Sequence, residues 1–182
     1  MQASDAAWEF AVVLDTHTQD ISETIAGTSD GGKKKMYKHI LVTTDGSKLA
    51  NKAVKSAVAF AKSFGSRLTV YQRLEDNLSM FISDGYAIPA QTVAKIDADS
   101  RARVQANLDA ARKSAEAAGV ACATVIGRPG LPWEGIIDTA RKMKCDAIFI
   151  ASHGRRGIKG VLLGSVTHKV LTHSTIPVVV YR

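Results

Sequence analysis

A fifteen-residue stretch, Ala151-Ser152-His153-Gly154-Arg155-Arg156-Gly157-Ile158-Lys159-Gly160-Val161-Leu162-Leu163-Gly164-Ser165, holds four glycines and three cations. Glycine lets a backbone approach a ligand with no Cβ in the way. Gly164-Ser165 stands where a helix would open, with its first amides unpartnered and its dipole favourable to an anion. A hydroxyl at Ser165 can donate to a phosphate oxygen or serve as an N-cap. Together these residues suggest a phosphate cradle. Arg155 and Arg156 either add charge to it or point to solvent, and Gly154 and Gly157, taken singly, also suit ordinary turns. A second stretch, Thr43-Thr44-Asp45-Gly46-Ser47, presents Asp45. That carboxylate either accepts ribose hydroxyls or completes a local cap or Asx turn with Gly46. His153 reads as a loop residue, since neither a partner carboxylate nor a nucleophile adjoins it. Cradle and carboxylate in combination point to a nucleotide.

Both stretches need strands behind them. Tyr37–Thr44 contains Ile40-Leu41-Val42, a run expected of a strand buried on both faces. Ser47 suits an N-cap, and Ala50, Ala53, Val54, Ala57, Val58 and Ala61 keep helical spacing up to Gly65, a C-terminal stop. Arg67–Arg73 reads as a second strand, and the polar segment Leu74–Ala90 as a lid or loop. A helix follows over Thr92–Ala118, then a strand over Val120–Ile126, a helix over Trp133–Met143 and a strand over Asp146–Ala151. A helix over Ser165–Thr172 and a strand over Ile176–Tyr181 close the chain, with Pro177 confined to the strand's start or a sheet edge. Alternating strands and helices imply an α/β fold, an open parallel sheet with helices on both faces. Five strands in the order 3-2-1-4-5, a half-Rossmann arrangement, would put the topological switch between strands 1 and 4. Asp45 and the glycine-rich stretch follow those two strands, where ligands of open α/β sheets bind.

The chain has 182 residues, enough for one domain with a sizeable core. Residues 1–32 hold six acids and no Lys or Arg, and Thr28–Gly32 followed by Lys33-Lys34-Lys35 has linker composition. Residues 1–35 are therefore expected to be a mobile appendage and 36–182 the domain, and Met36 is a possible start of translation. The rest of the chain has 24 basic and 11 acidic residues, an excess that favours anionic ligands or simply dresses solvated helices. A basic stripe with interleaved aromatics is missing, so nucleic acid ranks last among partners. The apolar runs fall short of the ~18–20 residues of a membrane helix. The acidic N-terminus is unlike a secretory signal, and Cys122 and Cys145 have neither metal-ligand spacing nor disulfide density. A cytoplasmic location is the expectation.

The residues from Met36 to Arg182 resemble the universal stress protein family. Its ATP-binding members carry Gly-x2-Gly-x9-Gly-Ser/Thr after strand 4 and an aspartate after strand 1. Gly154, nine residues, then Gly164-Ser165 match the later glycines and the hydroxyl, and Asp45 matches the aspartate. Leu162–Val166 and Ile176–Val180 are also typical. The resemblance implies an adenine nucleotide alpha hydrolase-like fold with ATP, accompanied by Mg²⁺, as the ligand. Asp45, with Thr44 beside it, would meet the nucleoside; Gly154 would approach the phosphates; Gly164, Ser165 and the Val166 amide would hold them. Two positions depart from the pattern. Ala151 replaces the first glycine and narrows the site by a methyl group. Arg73 stands where the family often has valine, so it either stacks on a purine or blocks it.

The family often dimerises through the last strand, which implies a homodimer built on Val178, Val179 and Val180. An edge strand of that composition is also an open pairing template on physical grounds. Walker A, nucleophile-elbow and zinc signatures are missing, so the expected protein is a nucleotide-binding stress regulator and at most a slow ATPase. The competing expectation is a dimeric stress-response interaction module that binds no nucleotide.

Overall fold

A computed structural model describes residues 10–13, 37–75, 89–155 and 163–182. Its elements in chain order are β1 (Phe10–Val13), β2 (His39–Thr43), α1 (Lys48–Phe64), β3 (Arg67–Arg73), α2 (Ala90–Ala117), β4 (Cys122–Gly127), α3 (Pro132–Lys142), β5 (Ala147–Ala151), α4 (Ser165–His173) and β6 (Val178–Tyr181). Five strands are parallel in the spatial order β4-β3-β2-β5-β6, the expected half-Rossmann arrangement. The switch falls between β2 and β5, whose register sets Ile40 beside Ala147 and Val42 beside Phe149.

The far edge departs from expectation. Phe10–Val13, inside the segment expected to be a mobile appendage, pairs antiparallel with β6, Phe10 beside Tyr181 and Val13 beside Val178. The edge anticipated as an open template is thus covered, and Val178, Val179 and Val180 are buried in an inner strand. A free apolar edge is costly in water, and a four-residue strand suffices to satisfy its backbone groups. The linker over 28–35 lies outside the described residues.

Each element forms for a readable local reason. All five residues of β2 and all five of β5 are buried, as the central strands of a two-faced sheet must be. The Ser47 hydroxyl caps α1 by accepting from the Ala50 amide at 3.2 Å, and Gly65, at φ 64°, ends it in the left-handed region. Pro132 opens α3, with Glu134 in its first turn and Arg141 and Lys142 in its last, matching both ends of its dipole. The sheet separates two cores. Ile40, Val42, Val70, Leu108 and Phe149 pack beneath α1 and α2, whereas Leu41, Tyr71, Ile136, Ile148 and Val170 pack beneath α3 and α4. Among the described residues no helix is long and apolar enough to cross a membrane.

Candidate functional site

A cleft of about 830 Å³ opens at the carboxyl ends of β2, β3 and β5. Thr44, Asp45, Arg73, Ala151, Gly154, Arg155, Gly164, Ser165 and Val166 all line it, so the fold gathers these expected residues at one place. Arg156 and Gly157 lie outside the described residues.

At one end the cleft is lined by backbone. Gly164 occupies the N-cap position of α4, with φ −69° and ψ 155°, and among the described residues no side-chain hydrogen bond caps that helix. The N-cap is thus the glycine, and Ser165, placed as a possible cap, is the first helical residue with its hydroxyl exposed. Gly164 packs closely: its amide donates to the Ser152 carbonyl at 2.7 Å, and a Cβ there would lie 3.4 Å from His153 Cα. The Thr167 hydroxyl donates to the Ala151 carbonyl at 2.8 Å, which fastens the helix start to the end of β5. Ala151 is buried against Ala50 and Ala53, so its methyl group packs toward α1 while the residue still borders the cleft.

Side chains dominate the other end. Asp45 receives the Ser47 amide on Oδ1 at 2.9 Å, an Asx turn, and the Arg155 amide on Oδ2 at 2.8 Å. The turn brings Gly46 to φ +78° against Asn107, where a Cβ would lie 2.6 Å from Nδ2. Gly154 also packs differently from expectation. A Cβ on it would fall 2.5 Å from Asp45 Oδ2, so its missing side chain makes room for the carboxylate. Arg155, expected at the phosphates or in solvent, is exposed, pairs with Glu75 and has Nε 3.9 Å from Asp45 Oδ2.

Several lining residues were not singled out from the sequence: Tyr71, Glu75, Leu131, Pro132, Trp133 and Lys169. Leu131, Pro132 and Trp133 follow a strand's carboxyl end, a positional signal that could have found them. Trp133 packs on His173 with ring centroids 4.5 Å apart, and Lys169 Nζ lies 6.0 Å from its ring centroid. Tyr71 fits only because Gly127 and Gly135 carry no side chains, since a Cβ on either would collide with its hydroxyl. Burial pushes the Tyr71 phenol above its usual range, aided by Asp138 and opposed by Arg73. Among the described residues no three His, Cys, Asp or Glu side chains gather as a metal site.

Comparison with known proteins agrees with this architecture. Residues 36–182 match the model of the Universal stress protein family. The universal stress protein MJ0531 of Methanocaldococcus jannaschii is 31% identical over 148 residues, covering 81% of this chain and 83% of that protein. The solved structure of universal stress protein UspA from Lactobacillus plantarum aligns with a TM-score of 0.68 at 25% identity, over 80% of this chain and 98% of that one. A universal stress protein solved in complex with cAMP shares the fold, with a TM-score of 0.59 at 24% identity over 80% of this chain and 97% of that one. With the family model spanning everything from Met36 to Arg182, the chain belongs to the universal stress protein family.

Proposed function

We propose that this protein is a stress-response regulator that binds ATP across the β2–β5 switch. One observation carries the reading: the amino end of α4, uncapped by any described side chain, and the Asp45 carboxylate line the same cleft. The amides of Ser165 and Val166 and the Ser165 hydroxyl would hold the phosphates, for which a helix start with free N–H groups is suited. Asp45 would accept the ribose hydroxyls, with Thr44 beside it. Arg73, half-buried at the end of β3, would lie against the base and offers a guanidinium face for stacking. Mg²⁺ would enter with the phosphates, since it binds readily through one or two carboxylates, water and phosphate oxygens. A universal stress protein of the same fold has been solved in complex with cAMP, which supports a nucleotide as the class of ligand. Binding and signalling, rather than efficient turnover, is the proposed activity.

Gly164→Val tests the reading by placing a branched side chain at the helix start. Isothermal titration should show ATP and tripolyphosphate both weakened at least about tenfold, roughly 1.4 kcal/mol. Gly164 has an ordinary negative φ, so Gly164→Ala should fold and serve as a control. Undiminished affinity in the valine variant would put the phosphates away from the start of α4, and no ATP binding by the native chain would favour the nucleotide-free interaction module.

Homodimerisation through Val178–Val180 requires β1 to leave the β6 edge, because both would use the same backbone groups. Sedimentation should find the full chain monomeric and a chain beginning at Met36 dimeric, with Val179→Lys restoring the monomer. A dimer that forms with β1 in place would put the interface elsewhere.

A further inference from the structure

Three neighbouring strand ends are tied together at the mouth of the cleft. Arg155 follows β5, Asp45 follows β2 and Glu75 follows β3, and these strands lie side by side in the sheet. Arg155 therefore reaches across two strand spacings, roughly 10 Å. It gives its amide to Asp45 Oδ2 at 2.8 Å and its guanidinium to Glu75. Gly154 permits the approach, as a Cβ there would lie 2.5 Å from the same carboxylate oxygen. The Ser47 amide, at 2.9 Å, holds the opposite oxygen. An aspartate fixed at both oxygens by main-chain donors cannot swing freely, and its remaining lone pairs keep a set direction.

We propose that this clasp selects the sugar: Glu75 and Arg155 are positioning residues that orient Asp45 for the 2′,3′-diol of a ribonucleotide and against 2′-deoxyribonucleotides. The inference rests on the nucleotide reading above and extends it to substrate class. A ribose diol can donate to both oxygens of the held carboxylate, whereas a deoxyribose leaves one of those acceptors without its donor. A site built to bind a hydroxyl penalises the analogue that lacks it. The penalty is moderate here because the Asp45 side chain is 32% exposed and water can replace the lost donor. The Glu75–Arg155 pair is also solvent-facing, with side-chain exposures of 39% and 43%, so salt weakens it. ATP and 2′-dATP carry equal charge, and their affinity ratio therefore isolates the clasp from general screening.

Titration of the full-length native chain with ATP, 2′-dATP and tripolyphosphate should show ATP bound about fivefold more tightly than 2′-dATP. Glu75→Gln and Arg155→Ala should bring that ratio to within about twofold and leave tripolyphosphate affinity unchanged. Arg155→Lys should restore part of the preference, and high salt should lower the native ratio. Equal affinity of the native chain for both nucleotides, or a ratio that survives both variants, overturns the clasp while the nucleotide site stands. Failure of the native chain to bind either nucleotide overturns the nucleotide reading and the clasp with it.

Discussion

The two ends of the sheet are built from the same strands and do opposite things. At the amino ends, several polar groups bond to one another within the protein. Asp146 accepts the amides of Lys38 at 2.7 Å and His39 at 3.0 Å, Ser66 donates to the Tyr37 carbonyl, and His39 Nε2 meets the Thr69 hydroxyl at 2.7 Å. The shallow cleft there, about 460 Å³, is lined by Lys38, Lys62 and Arg67, together with Gly65 and Gly119, which follow the carboxyl ends of α1 and α2. Those cations face the negative ends of helix dipoles, which they stabilise. At the carboxyl ends α4 begins with no side-chain cap among the described residues, and the cleft beside it is nearly twice as large. The difference teaches that charge alone does not mark a candidate site; the proposed one is distinguished by a helix start that no described side chain caps.

Paired substitutions of one aspartate at each end sharpen the contrast. Asp146→Ala removes a charged acceptor from two backbone amides and should cost about 2 kcal/mol in urea unfolding, since hydrogen bonds to charged groups are worth ~1.5–3 kcal/mol and one of these is exposed. Its ATP affinity should stay native. Asp45→Ala should invert the pattern: ATP weakened about tenfold, or ~1.4 kcal/mol, tripolyphosphate unchanged, and stability lower by no more than ~1 kcal/mol, as expected for loss of a local turn and cap-like contact. Equal losses of stability and binding in both variants would erase the distinction between the ends.

Much of the frame was legible because it depends on short-range rules. Ile40-Leu41-Val42 suited a strand buried on both faces, Ser47 and Gly65 bracketed α1, and the alternation of strands and helices implied a parallel sheet. Strand ends were less so: the segment expected from Val120 begins at Cys122, because Val120 still donates to the Ala115 carbonyl in the turn that leaves α2. At the site, the positions of Asp45 and Gly164-Ser165 followed from the motif and the switch-point rule. The partner of Arg155 did not, since Glu75 is 80 residues away and meets it only through the order of three strands. Gly154 was recognisable as a close-approach residue, but which atom approaches it depends on the rotamer of Asp45. Phe10–Val13 falls in the segment expected to be a mobile appendage, and its pairing with β6 is a long-range contact that no local period encodes.

The smallest effect expected at the amino ends is one of pH. His39 is 5% exposed, and burial, reinforced by Arg67, lowers its pKa; the Met143 backbone and Asp146 pull in the opposite direction without prevailing. The folded protein therefore resists protonating this imidazole, while the unfolded chain takes up a proton near the ordinary value of about 6.5. The unfolded state then binds more protons below that value, so stability rises with pH across the interval. His39 contributes its full share above about pH 6.5 and loses it as pH falls toward the depressed folded value. Melting temperature should accordingly decline between about pH 7.5 and 5, and His39→Gln, which keeps an amide for Thr69, should flatten the decline. ATP affinity, which the proposed site places at the opposite end of the sheet, should be the same in His39→Gln as in the native chain at pH 7.5. A pH slope unchanged by the substitution would move the responsible group away from the amino ends and break the division of labour between the two ends.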